Sequence, residues 1–289
     1  MKSVIAGAGA VGAYVGALMA RAGQDVTLFA RGPHLRAMRE RGVRVVCADG
    51  EFEAHPKISG SLEEIGPVDV VFLAVKAHSL TALAPLLGPL FAPETVVVSM
   101  QNGVPWWYFE PPLDRVDPGG IVAAAIDPRR VVGSIVYFAT EIVSPGVIRH
   151  IEGNRLSLGE PDGTRSERCR QIAETLIAAG LRSPIAARIR QEIWVKLLGN
   201  AAFNPISALT GATLAGIARD PDACALVRRI MEEAVAIAAK LGMDMPVLID
   251  QRIAGAAKVG EHKTSMLQDR EAGRPMEVEA VVGAVVELG

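Results

Sequence analysis

The run Ser3-Val4-Ile5-Ala6-Gly7-Ala8-Gly9-Ala10-Val11-Gly12 decides the fold of this chain. Its first residues are apolar and β-prone, and they stop at a glycine-rich turn. Beyond the turn, residues 10–22 are rich in alanine and place Val11, Val15, Leu18 and Met19 on one helical face. G-x-G-x-x-G alone is a weak motif, but between a strand and a helix each glycine has a geometric reason. Gly7 permits a tight turn, Gly9 lets a pyrophosphate approach the backbone, and Gly12 lets helix and strand pack closely. The free N–H groups and partial positive charge of the helix N-terminus then suit phosphate. The plainer alternative is a tight-turning α/β protein without nucleotide; strand, turn, helix and spacing together outweigh it. Gly7, Ala8, Gly9, Ala10, Val11 and Gly12 are therefore expected to cradle a dinucleotide cofactor.

The second strand, residues 25–29, leads into Phe29-Ala30-Arg31-Gly32. A site for NAD wants a carboxylate there, about 20 residues past the glycines, to hold the ribose diol. No carboxylate occupies 29–32, whereas the Arg31 guanidinium can bind a 2′-phosphate bidentately. NADPH/NADP+ is thus the expected cofactor. Lys76 closes an almost continuous apolar run over residues 68–75, the pattern of a parallel strand covered on both faces. It is expected at a carboxyl end beside the ligand crevice, with an ordinary surface lysine as the competing reading. A β pair near 43–46 and 51–58, a helix over 80–90 and a buried strand over 95–100 complete this half. The βαβ alternation argues for an α/β fold with a Rossmann-type doubly wound parallel sheet.

Past Gln101-Asn102-Gly103 the character changes. Residues 131–143, 146–151 and 155–158 read as antiparallel strands, with Ser144-Pro145-Gly146 as a hairpin turn. A helix over 167–179 and a short strand over 184–186 follow. Only helical patterns recur after that, over residues 190–218, 221–241, 246–259 and 276–288. The expected division is an NADP-binding Rossmann-type domain, residues 1–187, and an all-helical domain, residues 188–289, for substrate binding and dimerisation. The last pattern reaches Gly289 without a stop signal, which leaves room for a further terminal helix.

The formal charge of −2, from 30 basic and 32 acidic residues, supplies no field that would recruit nucleic acid or an anionic membrane. Half of the chain is apolar, and residues 3–20 and 197–218 carry no charged side chain. Each stretch reaches the length of a membrane span. Four glycines interrupt the first, and Asn200, Asn204 and Pro205 lie in the second, where unpaired polar groups are costly in hydrocarbon. Both read as buried segments of a cytoplasmic protein with no membrane partner. Cys47, Cys169 and Cys224 share no CxxC or metal-like spacing and read as reduced thiols. The five histidines show no metal spacing either, so no metal is expected.

A reductase needs a proton for the oxygen as well as a hydride, held in register. The best proton donor lies at the edge of the second uncharged stretch. Lys196, Asn200 and Asn204 recur every four positions and share one helical face. Pro205 disfavours helical geometry at Asn204, so the helix is expected to kink or end there. An exposed lysine with two satisfied amides is the bland reading; three polar groups on an otherwise apolar segment fit a site better.

These pieces resemble the ketopantoate reductase family (2-dehydropantoate 2-reductases) across essentially the whole chain. The resemblance is carried by the glycine turn, Ala74-Val75-Lys76, Gln101-Asn102-Gly103 and Ser144-Pro145-Gly146-Val147-Ile148-Arg149-His150. It continues in Trp194-Val195-Lys196-Leu197 with Asn200 and Asn204-Pro205, and in Thr264-Ser265-Met266-Leu267-Gln268-Asp269 with Glu277. It implies NADPH-dependent reduction of 2-dehydropantoate to (R)-pantoate, a step toward pantothenate and coenzyme A. Lys196 would be the general acid that protonates and stabilises the developing alkoxide. Asn200 and Asn204 would orient the substrate, and Ser265 would bind its carboxylate. Asn102 would lie between nicotinamide and substrate, and Glu277 would approach the nicotinamide end of the cofactor. From the residues alone, Ser265 is a loop serine and Glu277 a first-turn helix glutamate.

Two features depart from the family pattern. Leu214 stands where those enzymes carry a further substrate-contacting asparagine. Asn102-Gly103 is followed by the aromatic run Trp106-Trp107-Tyr108-Phe109, read as a short helix packed on the sheet. A paralogous reductase of another branched or larger 2-oxoacid is the enzyme alternative, and a non-catalytic NADPH-binding sensor, disfavoured by the Lys196 face, is a second. A homodimer through the helical domain is compatible with either.

Overall fold

The computed structural model describes residues 1–245 and 249–289. The chain divides into two compact units, Met1–Gln101 with Gly119–Ile189 and Asn102–Pro118 with Arg190–Gly289. A single cut near residue 187 therefore misses an excursion in which Asn102–Pro118 leaves the sheet unit and belongs with the helices.

The first unit contains β1 (Ser3–Ala6), α1 (Ala10–Arg21), β2 (Val26–Phe29), α2 (Gly32–Arg41), β3 (Val43–Cys47), β4 (Gly50–Ala54) and β5 (Lys57–Ser59). There follow α3 (Leu62–Ile65), β6 (Val68–Leu73), α4 (Leu80–Leu83), β7 (Phe91–Ser99), α5 (Ile121–Ala125), β8 (Val131–Ser144), β9 (Val147–Gly159) and α6 (Glu167–Ala178). Nine strands form one sheet in the order β4-β3-β9-β8-β7-β6-β1-β2-β5. The run from β8 to β5 is parallel throughout. The sheet is nevertheless mixed. The hairpin turn before Val147 sends β9 back antiparallel to β8, β3 adds parallel to β9, and β4 pairs antiparallel with β3. In register, Ala6 pairs with both Phe29 and Leu73, so the carboxyl ends of β1, β2 and β6 stand side by side.

The expected β pair at 51–58 is split. β4 lies at one edge of the strand order and β5 at the other, with only His55 and Pro56 between them. At ~3.3–3.6 Å per residue, that link can span no more than about 11 Å. The sheet must therefore curl, and what it curls around is α1, which packs against β1, β2, β3, β4, β8 and β9. The small residues of α1 explain the fit: Ala13 and Ala17 are fully buried, as are Val15 and Met19. Tyr14 stacks on His150 with ring centroids 4.8 Å apart.

The helix expected over 80–90 is a series of short turns, Ala77–Ser79, α4, Ala84–Leu86 and Gly88–Leu90. Pro85 and Pro89 lack the N–H groups that a continuous helix needs there. Residues 184–186 contribute only an isolated bridge, Leu158 to Ile185.

The second unit contains α7 (Ile189–Thr210, all but its first residue), α8 (Leu214–Arg219), α9 (Pro221–Lys240), α10 (Ile249–Val259), α11 (Ser265–Glu271) and α12 (Ala284–Leu288). A π-helical turn, Glu279–Gly283, leads into α12. Of the pattern read from 246, residues 246–248 lie outside the described residues. Of the two outcomes expected at Pro205, a kink or an end, the end does not occur: α7 runs on to Thr210. An interior proline costs about 3 kcal/mol. Ala202, Phe203 and Ile206 around it are buried in a cluster with Ile217, Val227, Met231 and Ile253, and burial at ~1.5–3 kcal/mol per large apolar side chain offsets that cost. The break comes later, at Gly211, and Thr213 then caps α8 by accepting from the Gly216 N–H. Trp194 ties α7 to α9 through its indole N–H, which donates to the Ala234 carbonyl at 3.1 Å.

Candidate active site

In the first unit, the glycine turn is fixed from both sides. The Gly7 and Ala8 N–H groups donate to the Phe29 carbonyl at 3.3 and 2.9 Å, which ties the turn to the end of β2. Gly7 has φ +109°, and a Cβ on it would stand 2.4 Å from Val75 Cγ1. A Cβ on Gly12 would stand 2.2 Å from the Gly7 carbonyl oxygen. Gly9 differs: its Cβ position has nothing within 4 Å, and it precedes α1 with no side chain over the helix end. The uncapped first turn of α1, with room at the Gly9 Cβ position, fits an anion held by backbone amides.

Arg31 follows β2 by two residues, is exposed, and precedes the first turn of α2. Its guanidinium lies 5.4 Å from the Phe29 ring centroid. Lys76 is half-buried beyond β6, which ends at Leu73 rather than Val75. The Gln101 amide braces this connection by donating to the carbonyls of Leu73 (2.8 Å) and Val75 (3.1 Å). His34, which the sequence did not single out, accepts from the Gly146 N–H at 2.9 Å through Nδ1. Burial pushes its pKa down, against a smaller opposing effect of the Ala8 backbone.

In the second unit, Asn102 opens the excursion beyond β7. The next residue, Gly103, has φ +84°, and a Cβ there would stand 2.2 Å from the Ala280 carbonyl oxygen. The Val104 N–H donates to that same oxygen at 2.8 Å. The turn is therefore seated on the π-helical segment, and it presents the Asn102 amide to α7. Lys196 Nζ donates to Asn102 Oδ1 at 2.7 Å, while Asn102 Nδ2 donates to Glu277 Oε2 at 3.4 Å. Burial lowers the Lys196 pKa to about 8, and the Glu277 charge works in the opposite direction.

A pocket lies beside this trio, lined by Asn102, Asn204, Ser265, Met266, Asp269, Glu277 and Val281. Asn204 is 8% exposed and stands two helical turns from Lys196 on α7. Asn200, one turn from each, is half-buried and outside that wall. Ser265 is the first residue of α11 rather than a loop residue, with Thr264 capping by accepting from the Leu267 N–H. Glu277 precedes the last helix instead of lying in its first turn. The lining residues Asp269 and Val281 were given no role from sequence. The signal for Asp269 was its spacing of four from Ser265 on one helix face.

The aromatic run is buried as expected, but as turns within the second unit and not as a helix on the sheet. Tyr108 donates its hydroxyl hydrogen to the Arg190 carbonyl at 2.9 Å. The Arg190 guanidinium sits 5.1 Å from the Tyr108 ring and 5.6 Å from the Trp107 ring. Leu214 packs against the apolar cluster of α7 to α10. Among the described residues no group of His, Cys, Asp or Glu is placed to hold a metal ion, and no helix is long and apolar enough to cross a membrane.

Comparison with known proteins gives a consistent result. Residues 3–163 match the family model "Ketopantoate reductase PanE/ApbA", and residues 188–289 match "Ketopantoate reductase PanE/ApbA C terminal". The chain is 53% identical to the 2-dehydropantoate 2-reductase of Mesorhizobium japonicum over 100% of its own length and 91% of that protein's. It is 32% identical to that of Archaeoglobus fulgidus, covering 99% and 90%. The crystal structure of 2-dehydropantoate 2-reductase from Geobacter metallireducens GS-15 superposes with a TM-score of 0.89 at 28% identity, over 100% of this chain and 93% of that one.

Proposed function

This chain belongs to the ketopantoate reductase family, and from that premise we propose that it reduces 2-dehydropantoate to (R)-pantoate with NADPH, toward pantothenate and coenzyme A. The observation that carries the reading is the hydrogen-bonded series Lys196–Asn102–Glu277 beside a pocket whose wall includes the amides of Asn102 and Asn204 and the hydroxyl of Ser265, together with the carboxylates of Asp269 and Glu277. Asn102 Oδ1 accepts a hydrogen bond from the Lys196 ammonium and so aims it. Glu277 helps to keep that ammonium charged against the cost of burial. Lys196 gives its proton to the oxygen of the former carbonyl, and its charge stabilises that oxygen as negative charge develops. The Asn204 amide and the Ser265 hydroxyl supply donors for the substrate carboxylate, with Asn200 a turn away for a more distal group.

The glycine turn fits a dinucleotide, because Gly9 leaves open the space over the α1 amides. Residues Gly7 to Gly12 would hold the pyrophosphate, Arg31 the 2′-phosphate, and Lys76, Asn102 and Glu277 further parts of the cofactor. The bound nicotinamide supplies the hydride. A cytoplasmic homodimer belongs to the same reading: the three cysteines are free thiols, and Leu226 and Val286 of the helical unit are exposed apolar side chains. Light scattering on the purified protein tests the dimer.

The activity test is NADPH oxidation against a panel of 2-oxoacids that includes 2-dehydropantoate. Turnover with that acid and with NADPH preferred over NADH is expected. Turnover only with another acid would replace the substrate, and none with any acid would sink the reading.

A further inference from the structure

Among its amides and acids the pocket wall holds two apolar side chains, Met266 and Val281. In the scheme above the ketone of the substrate faces Lys196 and Asn102, and its carboxylate faces Asn204 and Ser265. The next carbon, C3, and its substituents are left for the apolar part of the wall. The two apolar residues differ in how firmly they are held. Val281 is 1% exposed and stands in the middle of the π-helical turn Glu279–Gly283, which the Ala284 N–H closes on the Glu279 carbonyl. The Val281 N–H donates to the Glu277 carbonyl at 3.3 Å. Just before it, the Ala280 carbonyl accepts from the Val104 N–H at 2.8 Å, and a Cβ on Gly103 would stand 2.9 Å from Ala280 Cβ. The Val281 backbone is thus tied both to Glu277 and to the turn that carries Asn102. A β-branched side chain in a helix also has one strongly preferred rotamer. Met266, 4% exposed on α11, has three rotatable bonds and can follow the shape of a ligand.

We propose that Val281 is a specificity-determining residue, the fixed gauge against which the C3 substituents of the substrate are sized, with Met266 as the yielding part of the same wall. Its place in the chain matters as much as its shape. The gauge shares its backbone ties with the residues that aim Lys196, so the bulk at C3 sets how the ketone stands to the ammonium. A group too small leaves the ketone loosely held, and one too large keeps it away. The substrate class this selects is the alkyl 2-oxoacid branched at C3, to which 2-dehydropantoate belongs. The inference deepens the proposed function and rests on that reading of the pocket.

The test compares the full-length wild type with Val281→Ala and Val281→Ile on 2-oxobutanoate, 3-methyl-2-oxobutanoate and phenylglyoxylate. In the wild type, kcat/KM for 3-methyl-2-oxobutanoate is expected about tenfold above that for 2-oxobutanoate, the usual worth of one carbon in an apolar pocket. The decisive quantity is the ratio of kcat/KM for phenylglyoxylate to that for 3-methyl-2-oxobutanoate. It should rise about three- to tenfold in Val281→Ala, which makes room, and fall by a similar factor in Val281→Ile, which takes room away. Both acids are compared on the same variant, so any loss of folded protein cancels from the ratio. Met266→Leu should move the ratio less than either change at Val281. Opposite shifts from alanine and isoleucine support the gauge. A ratio that stays put, or that moves the same way in both variants, overturns it, and so does a larger shift from Met266→Leu. A wild type inert toward every 2-oxoacid would fail the functional reading instead. The same ratio, taken from dissociation constants by calorimetric titration of the acids into NADP+-loaded protein, would then decide the role of Val281.

Discussion

Lys196 Nζ and Asn102 Oδ1 are 2.7 Å apart, although 94 positions separate the two residues in the chain. Because the amide oxygen faces the ammonium, the amide nitrogen faces the other way, toward Glu277. One carboxamide thus reads a cation on one side and an anion on the other, and a reversed amide would oppose both. The half-buried lysine is aimed, which is what proton delivery at a defined point requires.

Lys196→Ala removes the only proton donor in this series. The expected loss in kcat is about 10²–10⁴-fold, the usual worth of a positioned general acid. NADPH affinity, measured by fluorescence titration, should change little. An unchanged kcat would remove Lys196 from its role.

The pH profile carries its own sign. Burial lowers the Lys196 pKa from the ordinary lysine value of 10.5 to about 8. A general acid works in its protonated form, so reduction should be at its plateau below this value and decline as pH rises through about 8. In the oxidation direction the same group must accept a proton, and the limb should reverse. Profiles of kcat/KM in both directions check this.

Arg31→Ala should weaken NADPH binding by roughly 10–100-fold, as expected for a charged hydrogen-bonding group worth about 1.5–3 kcal/mol. NADH binding should stay within about twofold, because it lacks the 2′-phosphate that the guanidinium matches. Equal weakening of both cofactors would refute the assignment.

Gly12→Ala and Gly9→Ala should separate folding from binding. The new methyl at Gly12 meets the Gly7 carbonyl oxygen at 2.2 Å, an overpacking of about 2–3 kcal/mol that should lower Tm by roughly 4–12 °C. At Gly9 it enters open space, so Tm should hold while cofactor affinity drops. Thermal melts with and without NADPH distinguish the two.

What the sequence made legible was local. The glycine turn, α1 and the strand–helix alternation are written in apolar runs and glycine spacing, and Lys196 with Asn204 follows from helical periodicity on α7. Contacts between distant segments were not legible. Nothing near Val43 says that β3 will join β9, and nothing after Gln101 says that the chain will leave the sheet. The aromatic run reads as packing of a short helix; it forms buried turns instead, with Tyr108 against Arg190 and Trp194 of the same unit. The sequence could not say that α7 would run past Pro205, because the hydrogen bond a proline forfeits is local while the apolar packing on either side is set by other helices. Nothing in the 264–269 run says that Asp269 will be buried, since burial of a carboxylate depends on an arginine five residues on that folds back to meet it.

The excursion Asn102–Pro118 makes the backbone pass from one unit to the other three times, after residues 101, 118 and 189. The lysine and the amide that aims it are therefore encoded on opposite sides of the most natural splice point. A chimaera of two related chains joined at residue 187 would inherit Lys196, Glu277 and Asp269 from one parent but Asn102 and the aromatic turns from the other. Recombination at that point therefore reshuffles the interior of the helical unit itself, and parents must match across Gly103–Ala280 for the hybrid to keep its proton donor in register.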